Sequence, residues 1–309
     1  MGDPGGIGPE IAVKAALDKR VRAICEPVIV GAKDALEAHA GSLKKLSLVE
    51  TAPREFHVGE IHPEHGLAAL DAARAAIHGA MAGHYHAVVA APHSETAIHA
   101  AGIEFDGYPS FVARTAGLAP EDGILMLCFE HAGREVRIAH VTLHASVRKA
   151  LAMITTERVL RTIQAVDTAL KKMGMEKPKI AVSGVNPHAG EGGLFGDEEQ
   201  AVVMPAIEAA RAQGMTVDGP IGADLLIARP GYDAYVVMLH DQGHVAAKLL
   251  APQRAAGLAI GTPVLFSSVA HGAAFDIAGQ NRADPAAMVE AITRLVARRR
   301  RAPPTVIPK

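Results

Sequence analysis

Tryptophan is absent from the 309 residues, cysteine occurs twice and aromatic residues make up only 4%. Two thiols, Cys25 and Cys128, are too few for a disulfide framework and lack CxxC spacing, so a reducing compartment and core thiols are the simplest reading. Charge of one sign is missing too: 31 Lys and Arg face 33 Asp and Glu, for a formal net charge of −2. Such a chain has no global field to grip a polyanion, which argues against nucleic acid or an anionic membrane as partner. No stretch of about 18 apolar residues runs free of charge and no signal peptide opens the chain, so a cytoplasmic, soluble protein is expected. Neither GxGxxG nor a Walker loop is found. What the sequence does hold is 49% hydrophobic residues, 30 Gly and 16 His. That is enough to bury a large core in one or two domains, and local sites must carry the function.

Short apolar runs alternate with longer segments of helical period. "EPVIVG" (26 to 31), "HAVVAAP" (86 to 92), "KIAVSGV" (179 to 185) and "AYVVMLH" (234 to 240) read as buried strands, being short, β-branched and bounded by turn residues. Residues 65 to 83, 145 to 174 and 197 to 214 read as amphipathic helices. The sum is an α/β chain with a largely parallel, helix-covered sheet. Residues 1 to 10, "MGDPGGIGPE", form a glycine-rich turn that leads into a helix, and such a turn normally follows a strand. At the other end, a basic run and a Pro-rich tail close the chain, and basic residues in a last turn suit the helix dipole.

Three histidines stand at the ends of expected strands or in the turns after them: His144 in "HVTLHAS", His188 in "GVNPHAGEGG" and His240 in "MLHDQGH". Strand ends are where ligands collect in an α/β sheet, so a shared metal is one reading and three structural histidines the other. In "NPHAGEGG", Gly190 and Gly192 let backbone N–H groups approach a ligand. Asp241 and Lys248 suit a proton shuttle and a substrate clamp beside a metal, or merely the first turn of a helix and a solvated lysine. "HGAAFDIAGQNRADP" ends in an Asp-Pro pair that suits a helix start, preceded by a loop carrying His271, Gly272, Ala273 and Asp276.

Taken together, "MGDPGGIGPE", "AGIEFDGYPS", "GVNPHAGEGG", "YDAYVVMLHDQG" and "HGAAFDIAG" resemble the 4-hydroxythreonine-4-phosphate dehydrogenase family, in its order and over nearly the whole chain. The resemblance implies the fold of isocitrate and isopropylmalate dehydrogenases, two α/β domains with a cleft between them. Residues 1–92 plus 250–309 would form the cofactor domain, and 93–249 the central metal, substrate and dimerisation domain. It implies a homodimer with a shared active site. The family's metal-binding histidines fall on His144, His188 and His240, a set suited to Zn²⁺, or to Co²⁺, Mn²⁺ or Fe²⁺, better than to Mg²⁺. A substrate contact falls on Lys248. The loop with His271, Gly272, Ala273 and Asp276 falls at the adenosine end of the cofactor, where an Asp goes with NAD because a carboxylate accepts from the ribose 2′-OH and repels a 2′-phosphate.

Departures from the family pattern sharpen the substrate. Tyr108-Pro109 stands where the family has a His-Thr pair, Glu95 where it has a Lys, and Gly257 and Phe266 where it has Asn and Arg. These changes remove donors and positive charge that a phosphate needs. One branch, the dihydrodiol dehydrogenases of terephthalate breakdown, is similar in "PHSETAIHAAGIEFDGYPS", "LFGDEE", "TVDGPIGAD", "MLHDQGH" and "KLLAP". The expected activity is NAD- and metal-dependent oxidative decarboxylation of a cyclic cis-dihydrodiol carboxylate. Tyr108, Pro109, Phe266 and Glu95 would line the pocket, and Lys248, with Arg114 or Arg254, would meet a carboxylate. The alternatives are a dehydrogenase of a phosphorylated four-carbon hydroxy acid, or a metal-dependent hydrolase with Glu95 or Asp241 as base.

Overall fold

A computed structural model describes residues 1–41, 43–251, 255–269 and 271–296. Arg254 and the basic, Pro-rich tail from 297 onward lie outside the described residues. The strands are β1 (Val28–Gly31), β2 (Ser47–Glu50), β3 (Val88–Ala90), β4 (Ile124–His131), β5 (Arg134–His140), β6 (Lys179–Ser183), β7 (Thr216–Ile221), β8 (Ala234–Val237), β9 (Ala256–Ile260) and β10 (Phe266–Val269). β1 and β2 pair in parallel, and the other eight form one sheet in the order β3-β10-β9-β4-β5-β8-β6-β7. The four apolar runs named above all contain strands. "AYVVMLH" is cut short, however: the strand ends at Val237 and His240 already begins a helix.

The sheet is less parallel than the sequence suggests. β4 is antiparallel to both β5 and β9, and β9 to β10. The β4–β5 hairpin turns on Ala132 and Gly133, at φ 50° and 73°, the left-handed pair that a tight two-residue hairpin requires. Strands from the two expected chain segments sit at opposite ends of this sheet. β3, β9 and β10 meet β4 to β8 at the β4–β9 pairing, with Met126 opposite Leu258. A division at 93 and 250, as expected from the sequence, would fall between neighbouring strands of a continuous sheet.

Helices cover the sheet with small and aliphatic side chains. Pro63–Met81 starts on Pro63, which needs no N–H partner at a helix start. The expected helix over 145 to 174 is two, Val147–Met153 and Thr156–Lys172, because the Thr155 hydroxyl accepts from Arg158 N (3.2 Å) and caps a new start. The one over 197 to 214 widens into a π turn at Glu199–Val203 before Met204–Ala212. Pro205 has no N–H for the carbonyl of Ala201, which removes the α-helical bond at that point. The largest core cluster includes Met126, Val166, Leu170, Ile180, Val236 and Leu258, all fully buried.

The glycine-rich turn at the chain start lies between β1 and β3. The Met1 amine donates to Val30 O (2.9 Å) and Asp3 N to Pro92 O (2.9 Å). No strand precedes the turn among the described residues. The space between the β1 and β3 edges is a cavity of about 870 Å³, lined by both strands and by Ala12, Ala73, Met288 and Ile292. The helix that follows the turn, Gly8–Leu17, is tied to the chain's far end by Glu10, 1% exposed, whose carboxylate accepts from Ala283 N (2.8 Å) and Lys14 Nζ (2.7 Å). Glu10→Ala leaves the buried Ala283 amide without its acceptor, while Lys14 Nζ keeps the Asn281 and Ala283 carbonyls, and is expected to cost about 1–3 kcal/mol. Urea unfolding measures it, and a loss under about 1 kcal/mol would show that the tie is dispensable.

Candidate functional site

β5 and β8 are adjacent and parallel, Ile138 opposite Tyr235, so the segments leaving them emerge side by side. His144 follows β5 and His240 follows β8, and their ring centroids come within 6.0 Å. His144 Nδ1 lies 3.2 Å from Asp106 O, and His240 Nδ1 lies 2.7 Å from Asp241 Oδ1. A carbonyl and a carboxylate only accept, so each Nδ1 carries the proton and each Nε2 keeps a bare lone pair. This is how metal-binding imidazoles are prepared: the second nitrogen donates to an oxygen that fixes tautomer and ring plane. Asp106 is itself held in place. Burial works to raise its pKa, but hydrogen bonds from Ser110 Oγ (2.5 Å) and Arg114 Nη2 (2.8 Å) outweigh it and keep the carboxyl below the usual range.

His188 is carried on an unusual loop. Five consecutive residues, His188 to Gly192, have left-handed φ between 44° and 78°, three of them not glycine. Each such residue costs about 1–2 kcal/mol, so something must hold the turn. Glu199, buried and missed in the sequence reading, does so: Oε1 accepts from Val185 N (2.6 Å) and Asn186 N (2.7 Å), and Oε2 from Asn186 Nδ2 (3.0 Å). The "LFGDEE" string contains Glu199, but nothing in its spacing says that it folds back 14 residues. Gly190 proves to be there for Glu199: a β-carbon would lie 2.7 Å from Oε2, so its open side faces protein. Gly192 alone of the two opens to free space. Among the described residues, the His188 ring contacts Phe195 (6.1 Å) and neither His144 nor His240.

Behind His240 stand two more imidazoles. The His244 ring lies flat on His240, centroids 3.8 Å apart and planes 6° apart, and His140 is 4.7 Å from His244. His140 is 2% exposed, with Nδ1 3.3 Å from Leu125 O and Nε2 buried without a partner against Gly243, where a β-carbon would collide with it. Lys248, exposed, stands one helical turn beyond His244, and the Asp241 carboxylate is engaged with His240.

The expected pocket wall needs correction. Phe266 is fully buried on β10, 4.8 Å from the Tyr108 ring, because its face of the sheet is packed by Leu70, Ile77, Tyr108 and Val112. Tyr108 is only 5% exposed and its phenol is pushed up by burial, with Asp3 adding to it. Pro109 is buried beside it, whereas Glu95 is exposed in the first turn of Glu95–Ala100.

At the other end, His271, Gly272 and Asp276 are exposed, and Ala273 is buried with its carbonyl accepting from Ile7 N (2.8 Å). The loop thus rests on the glycine-rich turn. That turn is braced by Asp3, whose Oδ1 accepts from Gly5 N (2.8 Å), as the Asp-Pro-Gly string allows, and sits 3.4 Å from buried His65 Nδ1. Asp284 accepts from Ala286 N (2.9 Å) at the start of the last helix, as its Asp-Pro pair suggests.

The family model described as "Pyridoxal phosphate biosynthetic protein PdxA" matches residues 10–295. The chain belongs to the PdxA family. A "1,2-dihydroxy-3,5-cyclohexadiene-1,4-dicarboxylate dehydrogenase" of Comamonas sp is 45% identical over 305 residues, covering 96% of this chain and 95% of that one. The crystal structure of a "Terephthalate 1,2-cis-dihydrodioldehydrogenase" from Burkholderia xenovorans LB400 is 42% identical with a TM-score of 0.76, covering 95% of each chain. A 4-hydroxythreonine-4-phosphate dehydrogenase from Klebsiella pneumoniae is 32% identical with a TM-score of 0.80, covering 96% of each. The expected fold holds, since a β-decarboxylating dehydrogenase from Thermococcus kodakarensis, 17% identical, shares it at a TM-score of 0.51. This PdxA-family chain is therefore an oxidoreductase, a dehydrogenase, and the hydrolase alternative falls. No described helix is long and apolar enough to cross a membrane.

The donor set fits a borderline divalent ion: two imidazoles whose Nδ1 atoms are engaged by oxygens, which fixes their planes and leaves Nε2 for a ligand. Among the described residues no group of three or more His, Cys, Asp or Glu side chains is gathered closely enough to hold an ion.

Acid should expose the buried imidazoles. Burial, then His244, pushes His140 down to about 3 from an ordinary 6.5. Below pH 6.5 the unfolded chain takes up a proton that the folded chain refuses. The contribution is therefore complete above pH 6.5 and lost as pH falls towards 3, at about 1.4 kcal/mol per unit. His140→Leu is expected to flatten the stability curve between pH 6 and 4 by about that slope, read by urea unfolding at each pH. An unchanged slope would mean that His140 is protonated in the fold.

Proposed function

We propose that this chain is an NAD-dependent, divalent-metal-dependent dehydrogenase that oxidises and decarboxylates a cyclic cis-dihydrodiol carboxylate, the one derived from terephthalate. The observation that carries the reading is the pair His144 and His240, each with Nδ1 engaged and Nε2 free. The 45% identity to a dihydrodiol dehydrogenase supports this substrate class. His188 is the third ligand, contributed by a second copy of the chain. In support, each of the three histidines is followed by exposed apolar side chains: Val147 and Leu151, Leu194 and Phe195, Val245 and Leu249. Three such pairs around one site suit a homodimer interface. Catalysis in the cytoplasm, where NAD is abundant, is the matching location.

A divalent ion in this site supplies Lewis acidity, favouring ionisation of the substrate hydroxyl and stabilising the negative charge that builds as CO₂ leaves. The protein's residues do the positioning. Asp241 keeps His240 in one tautomer, Lys248 takes a carboxylate, and exposed Glu95 bounds the ring, with buried Tyr108 and Pro109 as support behind it. With NAD⁺ bound, the hydroxyl beside the carboxylate-bearing carbon would release its proton to solvent while its carbon would give up a hydride to the nicotinamide. The resulting β-keto acid loses CO₂, and the electron pair left behind closes an aromatic catechol after proton shift. At the far end the exposed His271, Gly272 and Asp276 would face the nucleotide, with the Ala273 backbone holding their loop and the open Gly192 leaving room near the third histidine. Asp276 would accept from the ribose 2′-OH.

The second reading, a dehydrogenase of a phosphorylated four-carbon hydroxy acid, is favoured by the TM-score of 0.80 to the Klebsiella pneumoniae enzyme. Both substrates, the diol dicarboxylate and 4-hydroxythreonine 4-phosphate, are to be offered to purified protein while NADH is followed at about 340 nm, a nicotinamide signature of hydride transfer. Reduction of NAD with the diol is expected, and turnover of only the phosphate ester would overturn the reading. Asp276→Ser is expected to raise the NADP to NAD ratio of kcat/KM about tenfold or more, because a carboxylate facing a 2′-phosphate costs at least one charge repulsion. An unchanged ratio would place the adenosine end elsewhere.

A further inference from the structure

His240, His244 and Lys248 recur every fourth residue of the His240–Leu250 helix, so they share one face. The first is a metal ligand in the reading above and the last a carboxylate clamp, and His244 stands between them without a role. Its ring is fixed from three sides: flat against His240 at 3.8 Å, 4.7 Å from His140, and with Nδ1 3.3 Å from the carbonyl oxygen of His240. A carbonyl only accepts, so the His244 proton is on Nδ1 and Nε2 presents a lone pair. His140 Nε2 is sealed in the core, whereas His244 is half-buried and its Nε2 is not among the sealed, unpartnered atoms.

We propose that His244 is a specificity-determining residue whose Nε2 accepts a hydrogen bond from a neutral substrate hydroxyl, so that the site selects vicinal diols. The inference rests on the dehydrogenase reading for the place of the substrate. A hydroxyl has a proton to offer a bare lone pair. A phosphate or carboxylate oxygen has none, and its charge is repelled. Lys248, one turn on, has only donors and takes the opposite kind of group. Along one helix face the site thus presents ligand, acceptor and donor at intervals of roughly 6 Å. The order fits a ring carrying two adjacent hydroxyls near the metal and a carboxylate farther off.

The test uses calorimetry with metal-loaded protein and three probes: 3,4-dihydroxybenzoate, 3-hydroxybenzoate and 4-hydroxybenzoate. Wild type is expected to bind the diol about tenfold more tightly than either mono-hydroxy acid. His244→Phe keeps a flat ring on His240 but has no acceptor, and is expected to bind all three alike. His244→Gln restores an acceptor and is expected to recover much of the preference. A diol preference that survives in His244→Phe, or a His244→Gln that behaves like it, overturns the proposal. Failure of the dehydrogenase reading shows differently: wild type would reduce no NAD with the dihydrodiol while the His244-dependent preference in binding persists.

Discussion

Two Nδ1 hydrogen bonds decide what this site can be. Asp106 O and Asp241 Oδ1 take the protons of His144 and His240, and everything that an ion or a substrate meets follows from the lone pairs left on the other side of those rings. The first of these acceptors depends on a loop that Ser110 and Arg114 hold by the Asp106 carboxylate. The second is the residue next door. The parallel pairing of β5 and β8 then brings the two rings to one place, so a local tautomer and a long-range strand register are both needed for the site to exist.

The third histidine is positioned by a different device. Its turn runs left-handed through His188, Ala189 and Glu191, a conformation that L-residues resist, and Glu199 supplies the compensating bonds from a buried carboxylate. Strain at the ligand and a buried charge beside it are each unfavourable alone. Together they fix one loop conformation.

Much of this was legible in the residues. Short β-branched runs such as "KIAVSGV" announced β6, and the histidines were found by asking what stands just past strand ends. Thr155 also carried its message, a capping residue inside what reads as one long helix, although periodicity outweighed it. What the residues could not tell was pairing. β9 lies more than 100 residues from β4, and no local pattern says that they run antiparallel. Phe266 shows the same limit in the site: matched by position to a substrate contact, it sits in a core cluster with Leu70, Ile77 and Tyr108. Glu199 and the His140–His244 contact were hidden for that reason as well, being side-chain meetings across 14 and 104 residues of chain.

The helix that carries His240, His244 and Lys248 has one more consequence. Each residue advances a helix by about 100°, so inserting or deleting a single residue between any two of them would swing the later ones to another side of the rod. Gly243, pressed against His140, pins the rod's rotation from behind. The segment is thereby locked in length, and relatives built on it can change their chemistry here only by exchanging side chains, never by shifting the frame.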